Sequence, residues 1–168
     1  MTRSLPARLR ADIAHHVADA PWLWADHAHH DPGGRRPVRL LGNERYEVWV
    51  IGWIPGQAVE LHDHGASAGA LVVTEGELVE ITGRSRLRRR VLRTGTTRVM
   101  GPAHVHDIVN AGPARATSIH VYSPPLRFMT FYDPVGGHPT RTEPVAADAP
   151  VLGLDPAPFL HPAGAARG

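Results

Sequence analysis

Ala58-Val59-Glu60-Leu61-His62-Asp63-His64 is the stretch whose reading decides the fold. It reads as an extended strand that ends on two imidazoles two residues apart. Side chains alternate along a strand, so His62 and His64 face the same side. Far downstream, His106-Asp107-Ile108-Val109-Asn110 forms a second such segment. A third imidazole arriving from that distant strand would close three sides of a metal ion and leave the opposite side open. This suits an ion that binds substrate and dioxygen better than one that staples a fold.

Outward from this segment, short strands recur at regular spacing. Strands are expected from Val38 onward, over Tyr46–Ile54, Ala58–His64 and Ala68–Thr74, and, past a turn at Glu75-Gly76, over Leu78–Ile81. Leu87–Leu92 follows a turn at Gly83. Arg98–Met100, His106–Asn110, Thr117–Tyr122 and Phe128–Tyr132 complete the set. The 16 Pro and 17 Gly fall between these runs, as turns do in an all-β chain. Many strands without intervening helices predict an antiparallel sandwich or barrel.

Before the strands, Leu5, Leu9, Ile13 and Val17 recur every four residues, the stripe of an amphipathic helix. Ser4 is the expected N-cap, with Pro6 at an early helical position. Pro21 ends the helix, and a short helix or turn follows through Trp22–His30. The expected organisation is one domain: a helical segment over 1–37, a barrel over 38–135, and a Pro/Ala/Gly-rich tail over 136–168, extended or partly disordered.

Composition excludes several function classes. The 168 residues can bury a real core. Cysteine is absent, so there is no disulfide, thiolate ligand or cysteine nucleophile. No apolar run is long enough to cross a membrane, and Met1 to Ala20 lacks a signal-peptide core, so a cytoplasmic location is expected. The positive charge is carried by arginine alone. The run Arg84-Ser85-Arg86-Leu87-Arg88-Arg89-Arg90 reads as a solvated strand face rather than a nucleic-acid site, because no aromatic residues interleave it. The oligomeric state is open, and a monomer is compatible with the sequence.

Gly56, His62-x-His64, Gly76, Gly101 and His106-x-x-x-Asn110 together resemble the two motifs of the cupin superfamily, which implies a jelly-roll β-barrel. The first cupin motif places a glutamate a few residues after its second histidine. Here that stretch is Gly65-Ala66-Ser67-Ala68-Gly69, with no acid. The expected metal ligands are therefore three neutral imidazoles, His62, His64 and His106. They leave the charge of a divalent ion uncompensated and favour an anionic substrate such as a thiolate. The missing glutamate argues against a metal-dependent sugar isomerase or epimerase.

Ser118-Ile119-His120-Val121-Tyr122-Ser123-Pro124-Pro125-Leu126 resembles the segment that marks the cysteine dioxygenases, and Trp53, His62-Asp63-His64-Gly65 and Gly76 with Leu78 fit the same family. The resemblance covers roughly Val38 to Tyr132. It implies oxidation of a small thiol, cysteine above all, to a sulfinic acid by O2 at a mononuclear Fe(II). A dioxygenase for 3-mercaptopropionate or another small thiol, and a non-catalytic metal-binding cupin sensor, are the alternatives. Ser118, His120 and Tyr122 alternate and so share a face. The resemblance implies that Tyr122 donates a hydrogen bond near the metal, that His120 orients it and reaches the substrate, and that Ser118 sets the His120 tautomer. It also implies an arginine for the substrate carboxylate, on a strand before His62. Arg39 matches that place best, with Arg35, Arg36 and Arg45 as rivals. Related dioxygenases acting on 3-mercaptopropionate tend to carry glutamine there. Gly69 stands where mammalian members have the cysteine that crosslinks to the tyrosine, so no thioether can form, as in the bacterial branch.

The remaining candidates are bland. His104 is expected at the rim or behind His106. His15, His16, His27, His29 and His30 read as surface residues, Trp53 as packing under the site and Met129 as core. Ser123-Pro124 sits in a setting for a cis bond.

Overall fold

The computed structural model describes residues 3–146 and 148–153. It has one α-helix, α1 (Ala7–Ala18), and eleven strands: β1 (Val38–Gly42), β2 (Glu47–Trp53), β3 (Ala58–His62), β4 (Ala68–Glu75), β5 (Glu77–Thr82), β6 (Arg88–Arg93), β7 (Thr97–Met100), β8 (His106–Val109), β9 (Ala116–Ser123), β10 (Phe128–Tyr132) and β11 (Pro139–Pro144). They form two sheets of strand order β1-β2-β9-β4-β7 and β11-β10-β3-β8-β5-β6, with antiparallel neighbours throughout. The sheets face each other as a jelly roll and are not joined by strand pairing into a closed barrel.

The first sheet is buried on both faces, so β2, β4 and β9 read as nearly continuous apolar runs. Alternation still sorts their side chains. Val48, Val50, Ala70, Val72, Ile119 and Val121 face outward and receive Ile13, Ala14 and Val17 of α1. Ile51, Trp53, Leu71 and Val73 face inward and meet Val59, Leu78, Ile108 and Phe131 between the sheets. The helix is anchored by buried Arg10, which donates to the carbonyls of Gly69 and Met100 at 3.3 and 3.2 Å and to that of Leu5.

Two expectations change. Ser4 does not cap α1: Pro6 flanks the helix with no side-chain cap bond. The Ser4 hydroxyl instead donates to the Ser123 carbonyl at 2.6 Å, which draws the segment onto β9. The tail begins later than residue 136, because Pro139–Pro144 adds β11 to the edge of the second sheet. Proline is tolerated at such an edge, where an N–H would face solvent. Beyond it, Val145 N–H bonds Arg127 O, and Val151 and Leu152 N–H bond Arg39 and Leu40 O; the expectation for 154–168 lies outside the described residues. The arginines of β6 are exposed on the opposite edge, where charge discourages strand addition.

One close approach sets up the site. A Cβ on Gly52 of β2 would lie 2.3 Å from the His29 carbonyl oxygen. The 29–37 segment can therefore cross β2 only over a glycine, and the His30 ring pins it to Thr117 Oγ1 at 3.0 Å. Gly52→Ala should destabilise the fold by about 1–3 kcal/mol through overpacking. Chemical denaturation should show a lowered midpoint; an unchanged midpoint would contradict this crossing.

Candidate metal centre and cavity

His62 closes β3 and pairs in register with His106, which opens β8. His64 lies just past the end of β3. Asp63 holds this turn from the opposite side: its backbone N–H bonds Thr130 O at 2.9 Å, Oδ1 accepts from Gly65 N–H at 2.9 Å, and Oδ2 accepts from the Tyr132 hydroxyl at 2.6 Å. The result is three converging rings. Nε2 of His64 lies 3.2 Å from Nε2 of His62 and 3.4 Å from Nε2 of His106. All three residues are buried.

Their other nitrogens fix the tautomers. His62 Nδ1 faces the Glu60 carbonyl at 2.7 Å, and His106 Nδ1 faces the Glu80 carboxylate at 3.0 Å. Each acceptor requires an N–H on Nδ1, so both Nε2 atoms carry bare lone pairs. Burial, and then the neighbouring His106, push His62 down to about 3, and burial also lowers His64 and His106. Two bare nitrogens facing His64 Nε2 at this range are accommodated either by its proton or, once that proton is gone, by a cation between the three. Nitrogens about 2.0–2.1 Å from one ion and about 90° apart would be about 3 Å from each other. His64 Nδ1 is buried without a hydrogen-bond partner. The donor set fits a divalent transition ion with a vacant side.

A cavity of about 260 Å³ opens beside this cluster. His62, His106, His120 and Tyr122 line it with Trp49, Ile51, Trp53, Val59, Ile108, Leu126 and Met129. On β9, Ser118, His120 and Tyr122 share the inward face and form a chain. Ser118 Oγ accepts the Trp53 indole N–H at 2.9 Å and lies 2.8 Å from His120 Nε2. It has no other partner among the described residues, so its single hydrogen goes to His120 Nε2. The imidazole N–H then sits on Nδ1 and donates to the Tyr122 hydroxyl at 3.3 Å. The phenol hydrogen is left for the cavity. Burial, reinforced by Glu47, raises the Tyr122 pKa, so it stays a phenol. Gly69 pairs with Tyr122 across β4 and β9, and a Cβ there would meet the ring at 3.4 Å.

Arg39 does not line the cavity. It shares a face with Trp49, but its guanidinium turns onto Glu47, 3.1 Å away and fully buried, and onto the Asp148 carbonyl at 3.3 Å. Arg35 takes the cavity position. Its guanidinium stacks 5.0 Å from the Trp53 ring, its Nε donates to Ala58 O at 3.0 Å, and no carboxylate pairs with it among the described residues. Arg36 pairs with Asp31 near the surface. Met129 lines the cavity and also packs against the inter-sheet core. The Ser123–Pro124 bond is cis.

The sequence reading missed Glu80, which is fully buried and contacts His104, His106 and Arg98. Its only signal was parity: on β5 it shares a face with the core residue Leu78. Glu80, His104 and His106 lie within ligand distance of one another, yet Arg98 Nε already sits 2.5 Å from the carboxylate and would repel an ion there. His104 belongs to this group, behind His106 and outside the three-histidine cluster.

The description of the cysteine dioxygenase type I family matches residues 7–134. The chain belongs to this family. Solved structures agree on the cupin jelly roll. The TT1209 protein of Thermus thermophilus is 23% identical with a TM-score of 0.55, over 60% of this chain and 93% of its own. An uncharacterized protein with a double-stranded beta-helix domain from Klebsiella pneumoniae subsp. pneumoniae MGH 78578 is 23% identical with a TM-score of 0.54, over 60% of this chain and 85% of its own. An RmlC-like cupin protein from Desulfovibrio desulfuricans is 16% identical with a TM-score of 0.52, over 60% and 92%. At these identities the likeness speaks for the fold alone. For this cysteine dioxygenase family member, replacing His62, His64 or His106 with alanine should abolish stoichiometric retention of a divalent metal, whereas His104→Ala should keep it. Metal content after gel filtration checks this; loss in His104→Ala equal to the others would contradict the ligand set.

Proposed function

We propose that this protein is a thiol dioxygenase that converts L-cysteine and O2 to cysteine sulfinic acid, both oxygen atoms going to sulfur. A mononuclear iron(II), held by His62, His64 and His106, would supply the redox chemistry that joins O2 to the thiolate. The observation that carries the substrate assignment is Arg35. It is a cation without an acid partner among the described residues, stacked on Trp53, in the wall of a cavity that also presents His62 and His106 of the cluster. A planar guanidinium with free N–H groups suits a carboxylate. A cysteine bound there has its thiol and amine directed at the histidine cluster and its carboxylate at Arg35.

The chain's own groups divide the remaining tasks. Trp49, Ile51, Val59, Ile108, Leu126 and Met129 make the walls apolar, which excludes water and strengthens each polar contact inside. The relay from Trp53 through Ser118 and His120 fixes the Tyr122 hydroxyl as a hydrogen-bond donor to whatever forms at sulfur. Three neutral ligands leave positive charge that a thiolate neutralises.

Oxygen uptake and product analysis test this. The iron-loaded protein should consume O2 with L-cysteine and release the sulfinate, with a higher kcat/KM than for 3-mercaptopropionate. Arg35→Gln should lower kcat/KM for cysteine by about 10–100-fold, the equivalent of losing about 1.5–3 kcal/mol of charged hydrogen bonding. Arg39→Gln should instead lower thermal stability, because it strands the buried Glu47 carboxylate. Preference for the amine-free thiol would reassign the substrate, and tightly held zinc without thiol-dependent uptake would favour a non-catalytic metal-binding cupin.

A further inference from the structure

Three N–H donors end on one buried carboxylate. Arg98 Nε lies 2.5 Å from Glu80 Oε2, and His104 Nε2 and His106 Nδ1 each lie 3.0 Å from Oε1. A carboxylate that receives three N–H donors, one of them a guanidinium, is arranged as an ionised acceptor. Arg98 stands on β7 in the first sheet and Glu80 on β5 in the second, so the ion pair spans the gap between them. One of the three donors is the ring of a proposed metal ligand. A carboxylate that accepts Nδ1–H makes the opposite nitrogen more basic and holds the ring's orientation. The other rings lack such support: His62 donates to a neutral carbonyl, and His64 Nδ1 has no partner among the described residues. The set is asymmetric, and its anionic charge sits one hydrogen bond behind His106.

We propose that Glu80 is a positioning residue that delivers negative charge to the metal centre through His106. It occupies none of the ion's coordination positions. The acid missing from Gly65-Ala66-Ser67-Ala68-Gly69 is thereby replaced electrostatically, while the vacant side stays open to substrate. Arg98 draws part of that charge away and moderates it. The inference rests on the three-histidine metal reading.

A purely structural role, Glu80 neutralising Arg98 and tying the sheets, predicts a different pattern. If Glu80 acts through His106, removing Arg98 leaves more negative charge for the ring, and metal binding is retained or tightened. If Glu80 only ties the sheets, removing either partner weakens binding alike or leaves it untouched. Co(II) titration of the metal-free full chain against a competing chelator, with the visible Co(II) bands recorded, separates the two. The wild type should bind one Co(II). Glu80→Gln should bind about 10–100-fold more weakly, with shifted bands. Arg98→Met should bind at least as tightly as wild type, also with shifted bands. Wild-type affinity and bands in Glu80→Gln would overturn the proposal, as would a loss of about tenfold or more in Arg98→Met. Should Glu80→Gln fail to fold, the Arg98→Met result decides by the same criteria. A wild type that binds no Co(II) would overturn the metal reading itself, and is thereby distinguished from failure of the Glu80 inference alone.

Discussion

Three imidazole nitrogens directed at one point between two sheets constrain the rest of this structure. Imidazole nitrogens 3.2 and 3.4 Å apart are tolerable only if every ring is held from behind. The holding groups come from different places: the Glu60 carbonyl for His62, the Glu80 carboxylate for His106 and the Asp63-anchored turn for His64. His62 and His106 are cross-strand partners, so sheet register itself brings two of the three rings together. β3, β8 and β5 are neighbours in the second sheet, and the inter-sheet core and the arginine of β7 hold that sheet against the first.

Charge explains the surroundings. Neutral ligands leave a bound divalent ion with its positive charge intact, and burial keeps the rings neutral. The cavity beside them is largely apolar, with Asp148 in its lining besides the groups with defined tasks. Arg35 offers a second positive site within the same cavity, and the Ser118–His120–Tyr122 chain offers one aimed hydroxyl. A small molecule that is anionic at both ends, thiolate and carboxylate, matches this layout, and an acid inside the ligand ring would have weakened it.

Much of this was legible in the sequence because it depends on strand periodicity. The His62/His64 pair, the Ser118/His120/Tyr122 face and most strand spans follow from alternation and turn residues. What was not legible depends on contacts between distant segments. Arg39 lies on a strand with the expected parity, but fully buried Glu47 claims its guanidinium. Arg35 lies in an aperiodic segment, and only the crossing over Gly52 brings it to the cavity. Glu80 is one of two acids on β5; parity with Leu78 points it inward, but its partners His106 and Arg98 arrive from elsewhere. Pro139 and Pro144 disguised β11 as tail, since prolines at both ends are compatible with a strand only at a sheet edge.

The central claim is that a three-imidazole centre of neutral ligands takes up a thiolate. X-ray absorption at the iron edge of the Fe(II)-loaded protein, recorded without oxygen before and after addition of L-cysteine, tests it most directly. The account predicts a first shell of nitrogen and oxygen donors that gains one sulfur neighbour when cysteine is added. A first shell that stays free of sulfur at saturating cysteine would contradict it.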